Sequence, residues 1–127
     1  MTRHLFALLA LVALFVGCSA TPEVPVVDSL NFPATTTKDG AGNFAVTGTV
    51  AAHFTGGAIT KLVVHVPTQY GVSFADAPVD VTGTASPYTI FLIFPSTIAT
   101  GKYTFQIIAS DKTGTQSVPK DGSVTVQ

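Results

Sequence analysis

The stretch that most constrains the fold runs from Gly101 to Gly114 and reads GKYTFQIIASDKTG. Apolar and polar residues alternate along it, as expected of a strand with one buried face. A glycine opens the segment and an Asp-x-x-Gly turn closes it. Segments with a similar pattern lie on both sides of it in the chain, so we expect it to be a central strand. Four side chains point to its apolar face: Tyr103, Phe105, Ile107 and Ala109.

The rest of the chain also favours strands over helices. The chain has 127 residues, enough for one domain. After the first eighteen residues Thr, Val, Ala, Gly and Pro dominate, and the strong helix formers Leu, Glu, Lys and Arg are scarce. No window of eleven residues after Cys18 combines an apolar period of 3.6 residues with a helix cap. Turn signals rich in Gly, Pro and Asp recur at short intervals.

The sequence therefore predicts an all-β protein, a two-sheet antiparallel β-sandwich of about seven strands in residues 29–127. The short segments at 72–74 and 79–81 are expected to be edge strands. The predicted strands are marked by Leu30 and Phe32, then 43–54, 59–66, 72–74, 79–81, 88–94, 101–110 and a last strand that ends at Val126.

The first eighteen residues, MTRHLFALLALVALFVGC, have the organisation of an export signal. Arg3 supplies positive charge, and twelve apolar residues follow from Leu5 to Val16. That run is shorter than the ~20 residues of a membrane-spanning helix. It matches the ~7–15 apolar residues of a secretory signal. We therefore expect residues 1–17 to be a signal peptide that is removed.

The end of this leader, Phe15-Val16-Gly17-Cys18, resembles the lipobox of bacterial lipoproteins. The resemblance implies cleavage before Cys18, whose sulfur would carry a diacylglycerol group and whose amine would carry a fatty acyl chain such as palmitate. Ser19 follows the cysteine, where aspartate would signal retention at the inner membrane, so the resemblance implies the outer membrane. The alternative is an ordinary signal peptide cleaved near residues 19–21, with an incidental cysteine.

Residues 18–28 are predicted to form a tether between the lipid and the domain. Pro22 and Pro25 favour extended backbone. The ten residues 19–28, at ~3.1 Å each, would hold the domain about 30 Å from the lipid. The domain itself is expected to begin at Ser29.

The pattern G-x-Y-x-F-x-I-x-A-x-D-x-x-G from Gly101 resembles the penultimate strand of bacterial immunoglobulin-like and fibronectin type III-like domains. The resemblance implies an Ig-like sandwich. Tyr103 falls at the tyrosine corner of that family, which implies a bond from its hydroxyl to the loop around residues 96–99. Phe105 falls where antibody domains have their second cysteine. This fold carries many functions, so the resemblance does not identify one.

Charge and histidine content argue against several kinds of ligand. The formal net charge is −1, and the lysines are scattered along the chain. A phosphate backbone requires a concentrated basic face, so no nucleic-acid partner is expected. After the leader only His53 and His65 remain, with no HxH or CxxC pair. No metal site and no cofactor are therefore expected.

The carboxylates and hydroxyls give no catalytic pattern either. The aspartates lie in or near turns, where we expect them to accept hydrogen bonds from backbone amides. A calcium site that brings Asp111 and Asp121 together is the alternative, although no DxD run supports it. The chain has no GxSxG or SxxK motif, and two histidines are a poor supply of bases. We expect the protein not to be an enzyme.

Apolar residues on the outward faces of predicted strands are the most informative signal for binding. Val63 and Ile108 point away from the core side of their strands, and the topology implied by the resemblance puts them on one sheet. Phe91 and Ile93 would lie on the outer face of the other sheet. A two-layer sandwich leaves both outer faces in water, so these residues indicate a partner surface. The alternatives are that loops cover them, or that they are there as good strand formers.

These observations together predict a membrane-anchored, non-catalytic lipoprotein of the cell envelope. Its Ig-like domain would bind a protein partner or serve a structural role. One alternative is a carbohydrate-binding module, for which Tyr70 in the Gln69-Tyr70-Gly71 loop would be the exposed aromatic ligand residue. Another is a docking subunit of an envelope or secretion assembly, which would use an edge strand or an apolar face.

Overall fold

A computed structural model describes residues 23–127 of the chain. The predicted signal peptide, the lipid attachment at Cys18 and the first part of the predicted tether lie outside the described residues. Residues 23–127 contain no helix. Accordingly, no helix in this range is long and apolar enough to cross a membrane. The eight strands are β1 Val26–Asn31, β2 Thr35–Thr36, β3 Phe44–His53, β4 Lys61–His65, β5 Ala77–Asp80, β6 Tyr88–Phe94, β7 Gly101–Ser110 and β8 Lys120–Val126.

The strands form two sheets. The three-stranded sheet has the order β1-β3-β6, and the five-stranded sheet has the order β2-β8-β7-β4-β5. The predicted all-β, two-sheet sandwich is therefore confirmed. All pairs are antiparallel except β2 and β8, which run parallel. β7 lies between β8 and β4, so the prediction of a central strand at Gly101–Ser110 is confirmed as well.

The predicted strands 43–54 and 59–66 are one or two residues longer at each end than β3 and β4, Phe32 lies outside β1, and β2 was not predicted. Three further differences are larger or concern the edges. β1 begins at Val26, inside the segment predicted as tether, because Pro25 and Val27 are buried against the domain. The segment 72–74 is not a strand: Gln69 and Val72 close a tight turn with a reciprocal pair of backbone bonds. The next edge strand begins at Ala77, two residues earlier than predicted.

The core lies between the inward faces of the two sheets. The four apolar residues predicted to face inward from β7 (Tyr103, Phe105, Ile107 and Ala109) are at most 1% exposed, which confirms their predicted direction. The three-stranded sheet supplies side chains such as Phe44, Val46, Val50 and Ile90, all at most 2% exposed. Strict alternation is clearest in β6, in which every second residue from Tyr88 to Phe94 is buried. Period-2 patterning and burial therefore agree along the longest strands.

Two strand glycines make room for a pair of aromatic rings in this core. Phe32 and Phe105 meet edge to face, with ring centroids 5.0 Å apart. A Cβ atom at Gly48 would lie 2.2 Å from the Phe32 ring, and one at Gly122 would lie 2.6 Å from the Phe105 ring. Any larger residue would displace a ring, which explains glycine in the interior of β3 and β8.

The tyrosine corner implied by the resemblance is present. The Tyr103 hydroxyl donates a hydrogen bond of 2.7 Å to the carbonyl oxygen of Ala99 in the β6–β7 loop. The side chain is fully buried. Burial raises the pKa of Tyr103 because the phenolate would be poorly solvated there. This bond fixes the loop that follows β6 to the start of the central strand.

Candidate interaction surface

β6 is an edge strand, bonded along only one of its sides. It lies at the end of the three-stranded sheet and pairs with β3 from Tyr88 to Phe94. Among residues 23–127, its backbone has no hydrogen-bond partner other than β3. In an antiparallel strand about half of the N–H and C=O groups point away from the one partner. β6 therefore offers a free row of donors and acceptors seven residues long.

The other three edges of the sandwich have features that limit strand pairing. β1 has an irregular register between Val27 and Ser29, β2 is only two residues long, and β5 is four residues long and contains Pro78. Short length, bulges and proline are the usual ways of blocking an edge. β6, with the sequence YTIFLIF, has no charged residue and no proline. It is the edge best suited to accept another strand.

The outward face of β6 is apolar and unshielded. Phe91 is 59% exposed and Ile93 is 60% exposed. Their neighbours across the sheet are Thr47 and Ala45, whose side chains are too short to cover them. The structure thus puts Phe91 and Ile93 on the outer face of the three-stranded sheet, the position expected from the sequence.

A groove lies beside the open edge of β6, between the two sheets, with a volume of about 150 Å³. Phe91 and Ile93 border it, so the exposed face of β6 continues into the groove. Its other lining side chains are apolar: Val64, Val66, Phe74, Ala75, Ala77, Leu92 and Phe94. A strand added to β6 would therefore meet both main-chain partners and an apolar recess. We call β6, its outward side chains and this groove the β6 surface.

The second predicted pair of apolar residues lies on the opposite side of the molecule. Val63 and Ile108 are direct partners between β4 and β7, on the outer face of the five-stranded sheet. Both are half-buried, since they contact each other and Val63 also has Pro78 opposite it on β5. The two predicted pairs therefore do not form a single surface. The pair on β6 is the more exposed.

Tyr70 lies in the β4–β5 loop and is 57% exposed. Its hydroxyl donates a 3.0 Å hydrogen bond to the carbonyl oxygen of Lys102, and its ring meets the Tyr103 ring edge to face at 5.1 Å. The loop is held further by Gln69, whose side chain bonds both the N–H and the C=O of Thr104. Tyr70 thus covers Gly101, where a Cβ atom would lie 2.7 Å from its hydroxyl. Packing explains this residue at least as well as ligand binding does.

Each of the two histidines in residues 23–127 pairs with an aspartate that sequence reasoning missed. His53 Nδ1 lies 2.8 Å from Asp28 Oδ2, and His65 Nδ1 lies 2.6 Å from Asp76 Oδ1. The partners come from different strands or loops, so no spacing in the sequence indicates them. The two pairs are exposed and separate. In the part of the chain that the structure describes, no three His, Cys, Asp or Glu side chains come close enough to hold a metal ion.

The turn aspartates accept hydrogen bonds from nearby residues in their own turns. Asp111 Oδ1 accepts bonds from the N–H groups of Thr113 and Thr115 and from the Thr113 hydroxyl. The Thr113 hydroxyl bond is the main cause of the lowered pKa of Asp111. Asp121, by contrast, accepts a bond from Gln106 of β7, five residues before Asp111 in the chain. In residues 23–127 the structure therefore does not bring Asp111 and Asp121 into one cluster of metal-ligating groups, which the calcium alternative requires.

Comparison with known proteins adds no functional assignment. No protein-family model matches the chain, and no curated protein is significantly similar to it. The functional proposal below therefore depends on the geometry of the β6 surface and on the leader sequence.

Proposed function

We propose that the protein is a membrane-anchored, non-catalytic lipoprotein of the cell envelope that binds an extended segment of another protein at the β6 surface. The observation that carries this proposal is the open edge of β6, with Phe91 and Ile93 more than half exposed beside it. Docking on an envelope or secretion assembly would be one form of the same activity.

The physical basis is strand addition. A partner strand would pair with the free N–H and C=O groups of β6, which gives affinity with little dependence on sequence. Its alternate side chains would contact Phe91 and Ile93 or enter the groove, which gives specificity. Full burial of each of these two side chains would contribute roughly 1.5–3 kcal/mol before the entropy of ordering the partner is subtracted.

The membrane anchor rests on the leader sequence. Two or three acyl chains at Cys18 would hold a domain of this size on a membrane, because each buried CH₂ contributes about 0.8 kcal/mol. We expect the wild-type protein to fractionate with outer membranes and the Cys18→Ala protein to be released. A soluble wild-type protein would contradict the anchor without affecting the β6 proposal.

Site-specific photocrosslinking in cells tests the binding site. A photoreactive phenylalanine analogue at position 91 should crosslink one protein partner, and Ile93→Lys should abolish that crosslink. The matched control is the other apolar pair: the analogue at position 63 should give no such product, and Val63→Lys should leave the position-91 crosslink unchanged. Crosslinks from position 63 alone would place the binding site on the five-stranded sheet and would contradict this proposal.

The exposure of Tyr70 supports one second candidate, a carbohydrate-binding module, because an exposed ring can stack on a sugar. Its hydroxyl is already bonded to Lys102, however, so the ring is the part left for a ligand. A glycan array on which binding is lost in Tyr70→Ala and kept in Ile93→Lys would favour this candidate over strand addition.

A further inference from the structure

The end of the sandwich at which the chain enters has its own apolar surface, separate from the β6 surface. β1 begins there, with Val26 opposite His53 at the end of β3, and the β7–β8 loop lies beside it. A groove of about 170 Å³ separates the two segments. It is lined by Val24, Pro25, Val26, Val27, Val118, Pro119 and Lys120. We call this end of the molecule the entry pole.

The side chains that border this groove are unusually exposed. Val118 is 79% exposed, the highest value for a large apolar residue in residues 23–127, and Val24 and Val26 are 41% and 42% exposed. They come from two separate segments of the chain and converge on one groove. Because the exposed residues come from two segments, they form one apolar surface at the pole and are not the result of one irregular loop.

Charges of both signs lie around the pole. Lys120 lines the groove, and Lys112 is exposed in the same β7–β8 loop. Three acidic groups lie at the same end. The Glu23 carboxylate would lie 3.0 Å from a Cβ atom at Gly56 in the β3–β4 loop, Asp28 pairs with His53, and Asp111 lines a groove with Lys112. The exposed apolar side chains, and not a net positive charge, are therefore the feature that suits the boundary between head groups and acyl chains.

The length of chain before the domain limits how far this pole can be from the anchor. Pro25 is buried, so the chain is fixed to the domain there. From Cys18 to Glu23 the chain has five residue steps, which span about 18 Å at most. The structured part thus begins closer to the anchor than the 30 Å tether expected from the sequence. Any surface near the entry of the chain stays close to the lipid.

We propose that the entry pole lies on the membrane itself, with Val24, Val26 and Val118 in the interfacial region of the bilayer. This proposal rests on the lipid anchor at Cys18. It orients the domain with the Tyr70 loop, at the opposite end of the sandwich, directed away from the membrane. β6 would then run away from the membrane surface, and its open edge would remain accessible to a partner.

The chain has no tryptophan, so a single introduced one reports on its own surroundings. The test uses Val118→Trp in the full lipidated protein, reconstituted in vesicles of phosphatidylcholine and phosphatidylglycerol with brominated acyl chains. The matched control is Thr97→Trp, an exposed position in the β6–β7 loop at the other end. We expect V118W to lose roughly half of its fluorescence to bromine and to emit at shorter wavelength, and T97W to show neither change.

Vesicle flotation keeps the two proposals apart. If the V118W protein floats with the vesicles and its fluorescence is not quenched, the anchor stands and the orientation is wrong. A shift to shorter wavelength without quenching would mean that protein, such as a second copy, covers the pole, and would also overturn the orientation. If the protein fails to float, both the lipid anchor and this orientation are contradicted. The crosslinking test of β6 does not depend on either and would still apply.

Discussion

β5 and β6 are edge strands that border the same open side of the sandwich, one on each sheet, and they differ in their protection. β5 has four residues, with Pro78 opposite Val63 and Asp80 at its end. β6 has seven residues, none of them charged and none proline. Both strands line the groove between the sheets. The chain therefore blocks one side of this groove against strand pairing and leaves the other side open.

This difference bears on how the protein avoids aggregation. An open apolar edge is a hazard, because any exposed strand can pair with it. A domain that needs no partner would gain from blocking β6 in the same way as β5. A blocked edge beside an open one is the arrangement that the proposed binding of a partner strand at β6 requires. Four predictions test this contrast, from the largest expected effect to the smallest.

The inner and outer faces of β6 should differ most in their effect on stability. Ile90 is fully buried, so Ile90→Ala should lower the free energy of unfolding by about 2–5 kcal/mol. Ile93 is 60% exposed, so Ile93→Ala should change it by less than about 0.5 kcal/mol. Urea denaturation of the unlipidated Cys18→Ala protein measures both. Equal losses would mean that Ile93 is covered in the free protein, and the contrast with β5 would lose its basis.

Removing the proline of β5 should open the blocked edge. Pro78→Val restores a backbone N–H on β5 and a β-branched side chain that favours strands. We expect self-association to become stronger by roughly tenfold, about 1.4 kcal/mol, as measured by sedimentation velocity. The control is Pro33→Val, which changes a proline outside the strands. If Pro78→Val remains as monomeric as the parent, some feature other than the proline protects this edge.

The tyrosine corner should fix the end of β6 through the loop that follows. Tyr103→Phe removes the donor to the Ala99 carbonyl in the buried corner and should destabilise the protein by about 1 kcal/mol. Tyr70→Phe removes an exposed hydroxyl and should have a smaller effect. The same urea titration compares the two variants. A larger loss for Tyr70→Phe would mean that the Tyr70 loop, next to β5, and not the corner holds this end together.

Asp80 should give β5 a small pH dependence that β6 lacks. Hydrogen bonds from Thr82 hold the pKa of Asp80 below its usual value of 3.8. Because the folded pKa is the lower one, this stabilisation is present above pH 3.8 and is lost as pH falls through the folded pKa. The melting temperatures of the parent and of Asp80→Asn, measured from pH 6 to pH 2.5, should therefore converge at the acid end. If the difference in melting temperature between the two proteins does not change with pH, Asp80 is not the source of the pH dependence.

Much of the fold could be predicted because burial in a sandwich repeats every two residues. The alternation in 101–110 and 88–94 gave the buried faces, and the position of Tyr103 in its motif gave the corner bond. The edge segment at 72–74 could not be excluded from the sequence, since a short apolar run suits a turn as well as a strand. The pairings of His53 with Asp28 and of His65 with Asp76 left no signal, because contacts between distant segments have no fixed spacing.

The sequence predicted the outward side chains of the candidate site, but it did not predict that the backbone of β6 lies at an open edge. The outward direction of Phe91 and Ile93 followed from alternation, and so did that of Val63 and Ile108. Their difference in exposure depends on lateral neighbours: short side chains flank the first pair, and the second pair shields itself. The pattern along one strand carries no information on what lies beside it.

The sequence by itself determined that this chain forms strands and which of their faces are buried, and it predicts an export leader before them. Only the tertiary structure decided which strand is left at an open edge and which apolar residues gather at the entry pole. The physical reason is that burial direction is set within a strand by the alternation of side chains. Strand order and the approach of separate segments are set by pairing between residues far apart in the chain.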